Sequence, residues 1–365
     1  MTMNRARRVR LHFLLAIAGA LVAAAGSPSH AEQPTIGFAA PLTGTSELLG
    51  RQMRDGAQAA ALERNFGILI EDDRCTAEGG AAAADRFVDA KVAIVAGFLC
   101  TAAIEAALPI LKQAGIPVVA TGIRSEGLTD RRGKTGWPVV RYAPRADAEV
   151  HAAGEIIGRL WRDEPFAIID DGTIYSRELA EGFRLAVEQS GLKPVFVDTF
   201  RPQLENQVAL VGRLRRAGAT HVLAAGDRAD LAIIGRDAAA LGYTPTIAGG
   251  EVLRSAPDEV DLAAGTLMIG LPEWQSIAAP AVVESFAEQN IVPEGYVLPA
   301  YASVEVAIQA VESARADGSE IMDVLQSREF TTALGSIRFD EKGDRTDNPY
   351  RLFRYDGTKF AEAHE

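Results

Sequence analysis

Side chains able to do chemistry are few and widely spread in this chain. Adjacent acidic residues stand at Asp72-Asp73, Asp170-Asp171 and Asp340-Glu341, and paired carboxylates are what general acid–base work requires. Neighbours on a strand point to opposite faces, so none of these pairs forms a shared dyad; capping or solvation is their simpler role. The stretch from Gly127 to Thr135 reads GLTDRRGKT, close to a phosphate-binding loop. Its two framing glycines stand one residue too far apart, with Leu128 in the required place. The segment also leads into Pro138 and a strand, where a phosphate cradle would open a helix. No nucleophile elbow, zinc-protease helix or dinucleotide fingerprint is present. Beyond the first thirty residues the histidines are His151, His221 and His364, none close in sequence to a cysteine. No metal and no cofactor is expected, and catalysis has little to stand on.

The two cysteines, Cys75 and Cys100, take their meaning from the N-terminus. Arg5, Arg7, Arg8 and Arg10 form a basic head, followed by an apolar run from Leu11 to Ala25 and the small-residue pattern Ser29-His30-Ala31. This is the layout of a secretory signal peptide, with cleavage expected after Ala31. Fifteen residues of helix span roughly 22 Å, short of a bilayer core of about 30 Å. The remainder therefore reads as a soluble exported protein, and in an oxidising compartment an even cysteine pair reads as a disulfide. The loop it would close, from Cys75 to Cys100, makes it worth roughly 3 kcal/mol.

The chain carries a formal net charge of −12, and losing the four leader arginines makes it more negative. Such a surface repels phosphate backbones, so no nucleic-acid partner is expected. A body this long exceeds what one core usually serves, which makes two domains the default.

The elements that must position any site alternate strand and helix. Strands are expected at 35–40, 68–72, 92–96 and 117–120, with helices at 48–64, 78–90 and 101–114 between them. Their strands are brief, apolar and β-branched on both faces, as in parallel sheets covered on each side. Residues 122–138, rich in glycine and charge, read as loop before a short strand at 139–142. The alternation restarts with helices at 146–161, 177–190, 206–217 and 228–241, and strands at 166–170, 195–198, 221–225 and 246–248. Further helices are expected at 280–290, 298–317 and 321–326. The pattern predicts an α/β fold of two doubly wound parallel-sheet lobes. The expected boundaries are 32–142 with 272–345 for the first lobe, and 143–271 with 346–365 for the second.

An ordered set of short segments then carries a resemblance. Ile36-Gly-Phe-Ala-Ala-Pro-Leu-Thr-Gly44, Gly50 and Asp55-Gly-Ala57 are followed by Glu71-Asp-Asp-Arg-Cys75 and Val95-Ala-Gly-Phe-Leu-Cys-Thr101. After these come Ala114-Gly-Ile-Pro-Val-Val119, Tyr175, Gly249-Gly-Glu251, Tyr301-Ala302 and Phe339-Asp-Glu-Lys-Gly343. Together they resemble the periplasmic leucine/isoleucine/valine-binding proteins, substrate-binding components of ABC uptake transporters with the type I periplasmic binding protein fold. The resemblance implies a disulfide between Cys75 and Cys100, a three-stranded hinge between the lobes, and an amino acid or related carboxylate buried in the cleft. The implied partner is a membrane permease, and a monomer is expected.

Ligands of open α/β sheets bind beyond the carboxyl ends of the strands. Thr101 stands where a strand gives way to a helix, where free N–H groups and its hydroxyl suit a carboxylate. The resemblance makes this the α-carboxylate clamp; a simple helix N-cap is compatible with it. By the same resemblance Glu251 receives the ligand ammonium, Tyr175 covers the ligand, and Tyr296 lines the pocket, although each could be ordinary surface or packing. Thr121-Gly122-Ile123-Arg124 departs from the family, which usually has a small hydroxyl residue in place of Arg124. Arg124 could bind a carboxylate bidentately or pair with Glu126 on the surface. Asp227 stands where an aromatic is common, and could hold a second amino group or cap a helix. Ligand-binding candidates are therefore Thr101, Gly122, Ile123, Arg124, Tyr175, Asp227, Glu251 and Tyr296. Rival readings are a sensor that reports occupancy to a receptor, an exported enzyme using the cleft, and a scaffold that has lost its ligand.

Overall fold

A computed structural model describes residues 34–363; the expected signal peptide, its expected cleavage point and His364 lie outside the described residues. The first alternating set runs β1 (Thr35–Ala40), α1 (Glu47–Glu63), β2 (Gly67–Asp72), α2 (Ala77–Asp89), β3 (Ile94–Gly97), α3 (Thr101–Gln113) and β4 (Val118–Ala120). Two short helices, α4 (Gly127–Asp130) and α5 (Arg132–Thr135), precede β5 (Val139–Arg141). These strands form a five-stranded parallel sheet in the order β2-β1-β3-β4-β5.

The second set starts with α6 (Ala148–Ala152), a π-helical turn over Ala153–Ile157 and α7 (Gly158–Leu160). It continues β6 (Phe166–Asp170), α8 (Ile174–Gln189), β7 (Phe196–Thr199), α9 (Val208–Arg216), β8 (His221–Ala225), α10 (Arg228–Ala240) and β9 (Thr246–Gly249). A 3-10 turn over Glu251–Arg254 leads to β10 (Leu267–Gly270). The chain then gives α11 (Trp274–Ile277), α12 (Pro280–Glu288), α13 (Val297–Asp317) and α14 (Ile321–Ser327), and a hairpin of β11 (Phe330–Thr332) and β12 (Gly335–Ile337). It ends with β13 (Arg351–Tyr355) and β14 (Phe360–Glu362). The second sheet has seven strands in the order β14-β13-β10-β9-β8-β6-β7, with β13 and β14 antiparallel to their neighbours.

Side chains alternate across each sheet, which is why both faces hold a core. Ile36, Phe38, Ile94, Ala96 and Val140 pack with residues of α1 and α13, while Ala39, Val95, Val118 and Val139 pack with α2 and α3. In the second sheet Ile169, Val222, Ala224 and Met268 face α9 and α10, and Ile168, Leu223, Leu267 and Ile269 face α6 and α8. Each fully buried Ile or Phe contributes about 1.5–3 kcal/mol. Over its first twelve residues, Val297 to Ile308, helix α13 is buried all round because it is enclosed on every side there. Its close crossing with α1 depends on Gly56, where an added Cβ would overlap the Val297 carbonyl.

Chain crossings between the sheets follow β5, β10 and β12. The crossing segments are held by isolated bridges, Arg141 with Asp344 and Phe339 with Arg345, rather than by a continuous ladder. Cys75 and Cys100 are joined in a disulfide, with Cα atoms 5.1 Å apart.

Several expectations need correction. Residues 122–138 contain α4 and α5, so the glycine-rich stretch is partly helical; Gly136 closes α5 in the left-handed conformation that glycine adopts without penalty. The helix expected at 206–217 begins at Val208, with Gln207 at the capping position in a non-helical conformation and its N–H held by Asp237 Oδ2 at 2.5 Å. Asp73 is not solvated: it is wholly buried, accepts the Cys75 N–H at 2.9 Å, and has one oxygen without a partner. No helix among the described residues is long and apolar enough to cross a membrane.

Candidate functional site

The loop after β4 is fixed before it reaches its charged residue. Thr121 N–H bonds the Gly97 carbonyl at 2.7 Å, and Gly122 N–H bonds Phe98 at 3.0 Å, extending the strand pairing past the sheet edge. The buried Thr121 hydroxyl also meets Ser303 at 2.7 Å. Ile123 turns into the core beside α3 and is 1% exposed, so its side chain does not face a site. Gly122 lies beneath Tyr296, where an added Cβ would come within 3.3 Å of the ring.

Arg124 is thereby projected from the end of the first sheet toward residues of the second. Its guanidinium lies 3.9 Å from Glu251 Oε2, donates a hydrogen bond to the Tyr350 hydroxyl, and sits 5.7 Å from the centre of that ring. Glu126, the alternative partner, instead faces Arg145 at 3.7 Å. Burial works against the Arg124 charge, but Tyr350, Glu251 and Glu149 more than offset it and raise its pKa.

Glu251 opens the 3-10 turn after β9. Its Oε1 accepts the Leu271 N–H at 3.2 Å, and its Oε2 accepts the Tyr350 hydroxyl at 3.2 Å in addition to facing Arg124. Within this arrangement the carboxylate is already occupied by groups of the protein itself. Its own N–H donates to Glu149 Oε1 at 2.6 Å, and the Tyr175 hydroxyl donates to the same oxygen at 2.9 Å. Tyr175 is the second residue of α8, whose start is fixed by the Thr173 hydroxyl accepting the Ser176 N–H at 3.3 Å. Gly250 permits this convergence, since a Cβ there would overlap both the Tyr175 hydroxyl and Glu149 Oε1.

Glu149 lies in the first turn of α6 and is buried. Burial raises its pKa above the ordinary carboxylate range; the Glu251 N–H and the Tyr175 hydroxyl pull it down, the Glu251 charge pushes it up, and Arg124 opposes that. Burial likewise raises the phenols of Tyr175, Tyr296 and Tyr350, with negative charge from Glu251 adding to each. The cluster thus holds two carboxylates, one guanidinium and three tyrosines.

Thr101 is the first residue of α3, with Cys100 at the capping position, so the hydroxyl is not the N-cap. Its side chain bonds Ser125 Oγ at 3.4 Å, which places it one residue from Arg124 along the loop. The Ala103 and Ile104 N–H groups return to the Cys100 carbonyl, leaving those of Thr101 and Ala102 without an acceptor among the described residues. Asp227 occupies the capping position of α10, exposed and without a capping side-chain bond; its charge bears on Asp230 rather than on the Arg124 cluster.

Arg124, Glu251, Tyr175 and Tyr296 are therefore brought into one neighbourhood, with Thr101 reaching it through Ser125, whereas Ile123 and Asp227 serve elsewhere. Glu149 and Tyr350 are at its centre and escaped the sequence reading. Glu149 looked like an ordinary residue of a helical stretch, and Tyr350 lay in an unassigned segment. Open grooves of about 540 Å³ beside Gly154 and Gly182 and about 750 Å³ beside Gly212 and Arg216 lie on other faces. The Arg124 cluster instead closes on itself.

Comparison with known proteins agrees with the fold. The family model described as periplasmic binding protein matches residues 33–359. The Leu/Ile/Val-binding protein BraC3 of Rhizobium johnstonii is 28% identical, covering 90% of this chain and 93% of its own length. The leucine-, isoleucine-, valine-, threonine-, and alanine-binding protein of Pseudomonas aeruginosa is 26% identical, covering 96% of each chain. Among solved structures, an ABC transporter substrate-binding protein of Desulfitobacterium hafniense in complex with Leu superposes with a TM-score of 0.65 at 20% identity, covering 91% of this chain and all of that one.

Proposed function

This chain belongs to the periplasmic binding protein family, and from that premise we propose that it captures a small amino acid or related carboxylate and delivers it to the permease of an ABC uptake transporter. The observation that carries this reading is the meeting of Arg124, from the carboxyl end of β4, with Glu251 and Tyr350, from the far side of the chain crossings. A carboxylate placed there has the Arg124 fork, the Thr101 and Ser125 hydroxyls, and the free N–H groups at the start of α3.

The two α/β halves act as lobes, 32–142 with 272–345 and 143–271 with 346–365, and part at the crossings to admit the ligand. In the present arrangement Arg124 spans the halves and closes the site, so occupancy requires an open state that ligand then draws shut. Relatives named for branched-chain amino acids support an aliphatic amino acid as ligand. The protein works as a binder and carries out no reaction of its own.

Calorimetric titration with L-amino acids and small organic acids tests the assignment. A member of the panel is expected to bind, and Arg124→Ala is expected to weaken it about 10- to 100-fold, the worth of a lost charge-assisted bond. Unchanged affinity in Arg124→Ala, or no binding by any compound, refutes the assignment.

A further inference from the structure

Among the described residues four buried side-chain atoms have no hydrogen-bond partner, and two of them, Arg228 Nε and Arg254 Nε, belong to arginines that hold the turn Glu251–Arg254. Each such group calls for an explanation in what it holds. Arg228 goes further against local preference. It is only 7% exposed, and its partners are a carbonyl and an aromatic ring rather than a carboxylate. It is also the first residue of α10, where the positive end of the helix dipole disfavours a cation. A buried guanidinium without a counter-charge is costly, and residues that break local rules in this way concentrate at functional sites.

The two arginines grip the turn alike. Arg228 Nη1 donates to the Leu253 carbonyl at 2.7 Å, and the guanidinium carbon lies 5.3 Å from the centre of the Tyr355 ring. Arg254 Nη2 donates to the Leu271 carbonyl at 2.5 Å, Nη1 pairs with Glu273, and the guanidinium carbon lies 5.0 Å from the centre of the Phe353 ring. Phe353 and Tyr355 are alternate residues of β13, in the core that also holds Leu253. The turn is therefore fastened to β13 at two points, and Tyr350 stands one residue before that strand. At the exit of β10, Leu271 ties both ends of the turn, its N–H to Glu251 Oε1 at 3.2 Å and its carbonyl to Arg254. A 3-10 turn of four residues has poor hydrogen-bond geometry of its own, and residues 255–259 beyond it are exposed. Its position is imposed by these outside contacts.

We propose that Arg228 and Arg254 are positioning residues for ligand capture: they clamp the Glu251–Arg254 turn to β13 and to the β10 exit, and so set where Glu251 stands. This rests on the proposed capture of a small amino acid or carboxylate at the cluster that Glu251 joins. Glu251 Oε2 lies 3.2 Å from the Tyr350 hydroxyl and 3.9 Å from the Arg124 guanidinium, distances that the clamps maintain. The bonds of the two arginines run to Leu253, Leu271 and Glu273, and among the described residues none runs to Arg124, Glu149 or Tyr350. Each arginine therefore acts through Glu251. Release of either grip lets Glu251 drift from Tyr350 and Arg124, and capture weakens although no group of the cluster is removed.

The experiment titrates L-leucine, L-isoleucine and L-valine by calorimetry into wild type, Arg228→Met, Arg254→Met, Glu251→Gln and the two double variants that combine Glu251→Gln with each methionine. Methionine keeps the apolar stem and removes the donors. Every variant is checked for native circular dichroism; if Arg228→Met does not fold, Arg254→Met, whose side chain is 28% exposed, decides. The expected result is a loss of about 10-fold in affinity for each methionine variant alone. With Glu251→Gln already present the further loss is expected to be less than about threefold, because residues that act through one another are not additive. Where Glu251→Gln binds too weakly to titrate, Tyr350→Phe, which removes the hydroxyl facing Glu251, takes its place in the cycle. A general packing lesion gives the same loss in both backgrounds. That outcome, or an unchanged affinity in the single variant, overturns the inference for that arginine while leaving ligand capture intact. Failure of wild type to bind these amino acids or any small organic acid removes the proposed capture and this inference with it.

Discussion

Replacing Asp344 by alanine should loosen the site from behind, and the structure allows the cost to be worked out. Arg141 is wholly buried, and its three nitrogens are all engaged: Nε with Asp344 Oδ1 at 2.7 Å, Nη1 with the Ser125 carbonyl at 2.6 Å, and Nη2 with the Thr129 hydroxyl. Asp344 Oδ2 also accepts from the Thr129 hydroxyl and from Arg145, both at 2.9 Å. Arg145 keeps Asp130 at 3.1 Å and Asp147 at 3.0 Å when Asp344 is lost. Among the described residues Arg141 has no second carboxylate in its ion pairs, only the more distant Asp130 charge bearing on it, so the penalty falls on a buried, poorly compensated guanidinium and amounts to about 3–5 kcal/mol. With roughly 330 ordered residues the unfolding entropy near the midpoint is about 0.7 kcal/mol/K, so the melting temperature should fall by about 4–7 °C. Asp130→Ala, which removes an exposed partner of Arg145, should cost less than about 1 kcal/mol and serves as the control. Because Arg141 holds the carbonyl next to Arg124, ligand affinity should fall as well. Urea and thermal unfolding followed by circular dichroism, with calorimetry for binding, make the measurement. A loss in Asp344→Ala no larger than in Asp130→Ala would refute the reasoning.

Two further outcomes are expected. Gly250→Ala places a methyl group against the Tyr175 hydroxyl and Glu149 Oε1, which must swing away; overpacking of this kind costs about 1–3 kcal/mol, so ligand affinity measured by calorimetry should drop, and an unaltered affinity would contradict the proposed site. Burial raises the Asp73 carboxyl to about 6, against the Cys75 N–H and with help from the Asp72 charge. Its neutral form is therefore favoured by folding: the contribution is complete below the unfolded value near 4 and is lost as pH rises through 6, up to about 3 kcal/mol. Asp73→Asn should be more stable than wild type at pH 7 and lose that advantage at pH 4, by urea unfolding at the two values; a pH-independent difference would show that Asp73 is not the titrating group.

How much of this was legible in the chain depends on the range of the interaction. Alternation of short β-branched runs with alanine-rich helical stretches is a local signal, and it located the first sheet, four of the seven strands of the second and most helices to within a few residues, while β10, β13 and β14 were not expected. The cysteine pair and the strand-to-helix step before Thr101 are likewise local signals, and the disulfide and the start of α3 stand where they point. Glu149 reached the site differently. Its partner Glu251 lies 102 residues away, Arg124 is 226 residues from Tyr350, and Tyr350 is 99 from Glu251. Such pairings follow from how the chain crosses between the sheets, which periodicity does not encode. The same holds for Arg124 choosing Glu251 over the nearby Glu126: proximity in sequence offered one partner, and the direction imposed by the β4 edge supplied the other. Composition and periodicity determined the layers and the residues at strand ends. Only the tertiary structure decided which carboxylate meets which cation, because that choice depends on desolvation and on distances set by packing between elements far apart in the chain.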